Sequence, residues 1–253
     1  MNPKEGNMRK KIVAGNWKMN MLPSETPAFI DKFKGRVPSD RDVVFCVPFT
    51  HISTAVEAAK GTGIEIAAQN FYLEDSGAFT GEISGAMLKD LGASYVVLGH
   101  SERREIFGET DEIVNKKVLK ALQTGLKPIL CVGEKLEERK QNVTIELVRL
   151  QTKIGLQGVD KTQAKDVVIA YEPVWAIGTG LVATNEQAEE VCKAIRELLA
   201  EIYDEATANA VRIQYGGSVN EGNAKDLFAM PNIDGGLVGG ASLKEEFTHV
   251  INA

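Results

Sequence analysis

Several absences narrow the choices before any motif is read. Nowhere in the 253 residues does an apolar run approach the roughly 20 residues that a helix needs to cross a bilayer, so no membrane partner is expected. The start, MNPKEGNMRKK, carries no apolar segment of the kind a secretory leader needs. Basic residues are not in excess: 29 Lys and Arg stand against 35 Asp and Glu, a net charge of -6, the wrong balance for a nucleic-acid surface. An anionic substrate is still permitted, because a local site can oppose the global charge. Cysteine is scarce and odd in number. Cys46, Cys131 and Cys192 are far apart, fit no metal-ligand spacing and read as reduced thiols of a cytoplasmic protein. After the first β-like run the chain has GNWKMN, with one glycine, so the Gly-x-Gly-x-x-Gly of a dinucleotide site is missing there. No linker, low-complexity tract or composition break divides the chain.

Against these absences stand short β-branched runs, each followed by an amphipathic stretch. The runs are KIVAGN (11–16), DVVFCVP (42–48), IEIAAQN (64–70), SYVVLGH (94–100), KPILCVG (127–133), DVVIAYE (166–172), VRIQYGG (211–217) and DGGLVGG (234–240). They are continuously apolar rather than alternating, which suits strands of a parallel sheet covered on both faces. Thr184 with Gln187 predicts a capping box before NEQAEEVCKAIRELLAEIY, and Gly125 predicts the stop of EIVNKKVLKALQTG. Strand and helix alternate eight times, which predicts a single-domain α/β fold, a (β/α)8 TIM barrel over 9–253, preceded by a polar extension at 1–8. A doubly wound sheet is the structural alternative.

In a barrel the chemistry gathers where the strands end. Those ends offer Asn16 and Lys18, Gln69 and Asn70, His100, Cys131 and Glu134, Glu172, Gly216-Gly217-Ser218, and Gly239-Gly240. This set holds a cation, an imidazole, a carboxylate and two Gly-rich turns, and no metal cluster. The turns YGGS and LVGG, on the last two strands, suit a phosphate cradle built from backbone N–H groups. Two tight turns needing positive φ are the plainer alternative. Lys18 would supply positive charge to such a substrate. His100 precedes a predicted helix start, SERRE, whose N-terminus disfavours an added positive charge on the ring. Local capping is the plainer role for it.

Glu172 ends a strand and is followed by PVWAIGTG. A surface turn with Trp175 packed on the body would explain that segment. A lid would explain it too: Pro173-Val174-Trp175 as a stiff hinge, Ala176-Ile177 as an apolar tip, and Gly178-Thr179-Gly180 closing over phosphate. Under such a lid Glu172 would lose water and become a stronger base.

Seven segments in chain order, GNWKMN, QNFYLEDSGAFTGEIS, VVLGHSERREIFGE, PILCVGE, YEPVWAIGTG, RIQYGGSV and DGGLVGGASL, resemble the triosephosphate isomerase family from about Arg9 to the C-terminus. The resemblance implies an isomerase that interconverts D-glyceraldehyde 3-phosphate and dihydroxyacetone phosphate through an enediol(ate), in glycolysis and gluconeogenesis. It implies no cofactor and no metal, and a homodimer. Glu172 would be the base, His100 the neutral electrophile and Lys18 the stabiliser of negative charge. Asn16 would bind a substrate oxygen, and Gly178, Ser218, Gly239 and Gly240 would grip phosphate. Glu102 and Cys131 would support these groups. Thr80, at the tip of the long connection Gln69 to Glu82, would reach Asn16 and Lys18 of the second copy.

Two departures from the family pattern stand out. Leu181-Val182-Ala183 follows the lid where Lys-Thr-Ala is common, and Gly85 stands where proline is common, which would loosen the start of the next helix. A Schiff-base aldolase on a similar barrel would want a lysine deep in a middle strand, whereas Lys18 follows the first strand and Lys127 starts the fifth. A non-catalytic scaffold would tolerate loss of Lys18, His100 or Glu172, and all three are present.

Overall fold

The computed structural model describes residues 9–179 and 181–253; the expected extension 1–8 and Gly180, at the end of the expected lid, lie outside the described residues. Eight parallel strands close on themselves in chain order. They are β1 (Lys11–Asn16), β2 (Arg41–Val47), β3 (Ile64–Ala68), β4 (Tyr95–Leu98), β5 (Lys127–Val132), β6 (Val168–Tyr171), β7 (Arg212–Tyr215) and β8 (Gly235–Val238). The closing pair is β1 with β8, in register from Ile12 opposite Gly235 to Gly15 opposite Val238. Among the described residues, no helix is long and apolar enough to cross a membrane.

Burial explains why the strand sequences do not alternate. Ile12, Ala14, Val44, Cys46, Ala67, Val97, Ile129, Cys131, Val168, Ala170 and Leu237 pack inside the barrel as one cluster. Their neighbours Val13, Val43, Phe45, Val96, Leu98, Leu130 and Ile169 face the helices in a second cluster. Both faces are dry, so both sets of positions are apolar. The capping box forms as the sequence predicts, with Gln187 N donating to Thr184 Oγ1 at 3.2 Å and Thr184 N to Gln187 Oε1 at 2.9 Å, at the start of the helix Asn185–Ile202. Gly125 follows the helix Asp111–Gln123 with φ 76, a conformation that a side chain disfavours. At Gly85 the expectation of a loosened helix is not met. The helix Gly85–Asp90 starts there under the Ser84 cap, and a Cβ at Gly85 would lie 3.0 Å from Thr124 Oγ1, so the position is closely packed.

The strands stop earlier than their apolar runs. β4 ends two residues before His100, β6 one before Glu172 and β8 one before Gly239. The chemistry-bearing residues therefore sit on the first residues of the outgoing loops, held by what they meet there. Glu172 N donates to Val132 O at 2.7 Å, and Gly216 N donates to Tyr171 O at 2.7 Å, so the ladder continues one step past the assigned strands. A Cβ at Gly133, the residue after β5, would sit 1.7 Å from the Glu172 carbonyl oxygen.

That overlap is with backbone and cannot be relieved by a rotamer change. Gly133→Ala is expected to cost about 3 kcal/mol or more, which is a fall in Tm of roughly 6–12 °C for a chain of this size. Calorimetry checks it; an unchanged Tm would contradict the packing described.

Candidate active site

A cavity of about 600 Å³ opens at the C-terminal ends of the strands. Asn16 lines it from the end of β1, Lys18 from the loop after β1, His100 from the β4 loop and Glu172 from just past β6. Gly178, Ser218, Gly239 and Gly240 line it from the loops after β6, β7 and β8. Of the residues to which the resemblance gives a role, three are not on its wall. Glu102 lines a neighbouring cavity of about 220 Å³ together with Lys18 and His100. Cys131 is buried inside the barrel. Thr80 is exposed in the Gln69–Ser84 connection.

The centre of the arrangement is a carboxylate between two donors. Glu172 Oε1 lies 2.9 Å from His100 Nε2, and Oε2 accepts from the Ser101 N–H at 3.0 Å. Ser101 begins the helix Ser101–Ile106, whose first N–H groups have no partner within the helix. His100 is its N-cap: Nδ1 accepts from Glu102 N at 3.2 Å. With Nδ1 accepting, this geometry suits the neutral tautomer with its hydrogen on Nε2, pointing at Glu172, although Glu102 Oε2 also lies 3.5 Å from Nδ1. The plainer capping role and the chemical role thus belong to opposite nitrogens of one ring.

Burial alone would push the Glu172 carboxyl up, but the facing His100 and the Ser101 amide outweigh it and hold its pKa below the ordinary 4.5. Burial also disfavours a charge on His100, yet the carboxylate beside it raises the imidazole above its ordinary value. The helix N-terminus and the amide donated into Nδ1 oppose that rise. Under Glu172, burial and then the carboxylate itself keep Cys131 a neutral thiol.

Lys18 is reached by a backbone that few side chains adopt, with φ 54. Such a conformation costs a non-glycine residue about 1–2 kcal/mol and persists only when its surroundings enforce it. Its ammonium sits 2.7 Å from Glu102 Oε1, and its N–H donates to Asn16 Oδ1 at 3.1 Å.

The plainer reading of the Gly-rich turns, that they need positive φ, is not met. Neither Gly216, Gly217, Gly239 nor Gly240 has positive φ. A Cβ at Gly216 would meet Glu172 Cγ at 2.9 Å, and one at Gly217 would meet the Tyr215 hydroxyl at 2.2 Å, so both glycines serve internal packing. Gly239 and Gly240 differ: the nearest atom to a Cβ at Gly239 is Lys18 Cε at 3.7 Å, and Gly240 has nothing within 4 Å. The space there is open to the cavity, and the short 3-10 helix Gly240–Leu243 begins on it.

The segment after Glu172 is anchored at its base. A 3-10 turn spans Val174–Ala176, and Trp175 Nε1 donates to Glu134 Oε1 at 2.8 Å. Glu134 has no exposed surface and also accepts from Tyr171 OH at 3.2 Å; burial raises its pKa. The sequence reading noted Glu134 at a strand end and gave it no task. Of the expected apolar tip Ala176-Ile177, Ala176 is buried and Ile177 is half-buried, and both line the cavity. Thr179 Oγ1 donates back to Trp175 O at 2.7 Å, folding the segment onto its own base.

The description of the triosephosphate isomerase family matches residues 11–253. Proteins similar to this chain include the triosephosphate isomerase of Acetivibrio thermocellus, 63% identical over 237 residues that make up 93% of this chain and 94% of that protein. The triosephosphate isomerase of Carboxydothermus hydrogenoformans is 52% identical over 247 residues, 96% and 98% of the two chains. That of Lactobacillus delbrueckii subsp. bulgaricus is 53% identical, with 93% and 94% covered.

The carboxylate between two donors fixes a titration. A Glu whose pKa is depressed in the fold stabilises the fold above its unfolded pKa, and that stability is lost as pH falls through the folded value. In a ¹³C-carboxyl NMR titration Glu172 should therefore protonate below pH 4.5. His100→Ala should move its midpoint upward, because burial then acts with one donor fewer against it. A midpoint that stayed in place would mean that His100 does not set the charge of Glu172.

Proposed function

The chain belongs to the triosephosphate isomerase family, and we propose that the residues around its cavity divide the work of that enzyme as follows. The protein is an aldose–ketose isomerase that interconverts D-glyceraldehyde 3-phosphate and dihydroxyacetone phosphate, a glycolytic step that also runs in gluconeogenesis. Glu172 takes a proton from the carbon beside the carbonyl and returns it to the neighbouring carbon. His100, through Nε2, donates a hydrogen bond to the carbonyl oxygen, gives its proton to the forming enediolate and takes one back from the adjacent hydroxyl. Each proton removed is returned, so the sum is isomerisation. Lys18 faces the negative charge that develops on oxygen, and Asn16 binds a substrate oxygen. The amides at Gly178, Ser218, Gly239 and Gly240 hold the phosphate, with Ile177 as the lid tip above it. Glu102 and Cys131 support Lys18 and Glu172.

The observation that carries this reading is the 2.9 Å contact of an imidazole with a nearly inaccessible carboxylate, on a cavity whose far wall is open at Gly239 and Gly240. Proton transfer between fixed groups needs no cofactor. Residues 9–253 form the catalytic domain and 1–8 a polar extension. Three buried free thiols suit the cytoplasm.

The enzyme works as a homodimer. Met19 is 95% exposed and Phe107 64%, and both border the 220 Å³ cavity beside Lys18, together with Phe49. Phe79, at the tip of the Gln69–Ser84 connection, is half-exposed and stacks on Tyr72 at 4.8 Å. An apolar tip and an apolar-rimmed cavity suit mutual insertion in a two-fold pair, with Thr80 reaching Asn16 and Lys18 of the second copy.

A coupled assay of glyceraldehyde 3-phosphate isomerisation tests the activity, and Glu172→Gln tests the assignment of the base. That variant should keep the parental circular dichroism and lose about 10²- to 10⁴-fold in kcat, the usual worth of a general base; near-full kcat would remove Glu172 from the role. For the dimer, the double change Phe79→Asp, Thr80→Arg should give a folded monomer in sedimentation with most activity gone. A folded and fully active monomer would refute the claim that the second copy organises the site.

A further inference from the structure

Lys18 holds an unfavourable backbone conformation next to the cavity, and its surroundings contain a side chain to which the proposed scheme gives no task. Gln69 is the first residue after β3, yet its amide is spent entirely on the neighbouring strands' ends. Gln69 Nε2 lies 2.9 Å from Cys46 O, at the end of β2, and 3.0 Å from Lys18 O, in the loop after β1. A third acceptor, Asn16 Oδ1, is at 3.4 Å. A carboxamide NH2 has two hydrogens, so the two shorter contacts take one each and the third is shared. Cys46 O also accepts from Trp17 N at 3.0 Å, and Asn16 Oδ1 from Lys18 N at 3.1 Å. The peptide groups on both sides of Lys18 are therefore tied into one network, and Gln69 is the member that connects it to β3.

We propose that Gln69 is a positioning residue for Lys18: its amide fastens the Lys18 carbonyl to the end of β2, which enforces the positive φ and keeps the ammonium over the cavity. Among the described residues the Lys18 side chain pairs with Glu102, which is itself 44% exposed, too open to a screening solvent to fix a backbone. Gln69 also lines the cavity rimmed by Met19, Phe49 and Phe107, the surface assigned to the second copy. Contact between subunits would thus bear on the amide that sets Lys18. This inference rests on the assignment of Lys18 to the substrate's negative charge.

The test compares Gln69→Met, which removes both donors at similar size, with Gln69→Asn, which keeps the amide one methylene short of its acceptors. Either should lower kcat/KM by roughly 10- to 100-fold, the cost of misplacing a charged group by about 1 Å. Circular dichroism, sedimentation and the NMR midpoint of Glu172 should all match the parent, since the carboxylate is held from the other side of the site. In a double-mutant cycle, Lys18→Met with Gln69→Met should be no worse than Lys18→Met alone, because both act through one group. Three results overturn the proposal: single variants within about twofold of the parent, an additive double variant, or a displaced Glu172 midpoint, which would mean a general loosening. If Lys18→Met itself kept parental kcat/KM, the role of Lys18 would fall and the proposal with it, a result distinct from the other three.

Discussion

The site depends on a slot one residue wide. Glu172 leaves β6 between two glycines, Gly133 after β5 and Gly216 after β7. On one side there is no room for a Cβ against its carbonyl oxygen, and on the other none against its Cγ. This confinement does two things. It aims the carboxyl inward over the barrel instead of outward to the helices. It also lowers the wall at the end of β5, and β5 is the strand that separates Glu172 from the β4 loop. His100 and Ser101 can therefore reach across and donate to the carboxylate from a strand that is not its neighbour. A side chain at either glycine would change the chemistry and the barrel together, because the same backbone atoms serve both.

The slot also marks the boundary of what the sequence could tell. Strand positions were legible because dryness on both faces leaves an unbroken apolar run, and helix ends were legible at Thr184 and Gly125 because caps are local. His100 before SERRE could be read as a cap for the same reason. The purpose of Gly216 and Gly217 was not legible, since Glu172 and the Tyr215 ring are what exclude a side chain there, and a sequence does not say which atoms cross a given glycine. Nor was the reach of Gln69, which spans from the end of β3 to the loop after β1. The burial of Ala176 was not legible either, because small apolar residues suit both an exposed tip and a packed 3-10 turn, and the anchoring of Trp175 on Glu134 holds that turn.

The charges near the cavity form a line rather than a cluster. Lys18 is paired with Glu102, whose backbone N–H enters His100 Nδ1, whose Nε2 faces Glu172. Exposed pairs such as Lys18 with Glu102 add little to stability. Their effect here is geometric, keeping an ammonium and an imidazole on one wall of a protein that is acidic in sum. An anion entering that line meets the open backbone at Gly239 and Gly240 and a lysine held out of relaxed geometry, so the site opposes the global charge without a large basic patch.

The resting arrangement also explains how one motion can set two proton affinities. With Glu172 seated on Ser101 and His100, the acid is held ionised and its pKa low, which makes it a weak base, while the carboxylate raises the imidazole. A substrate placed between them, as the proposed roles require, separates the pair. Glu172 then loses its two donors and keeps its burial, and burial alone pushes a carboxyl upward, so it becomes a stronger base as it reaches the carbon. His100 loses the largest influence that favours its cation, while Glu102 remains near Nδ1 at 3.5 Å. It keeps the helix N-terminus and the amide on Nδ1, so the ring stays neutral and its Nε2 hydrogen is free for the carbonyl oxygen. The two groups need opposite changes, a base made stronger and an imidazole kept uncharged. Both are favoured by breaking the same 2.9 Å contact.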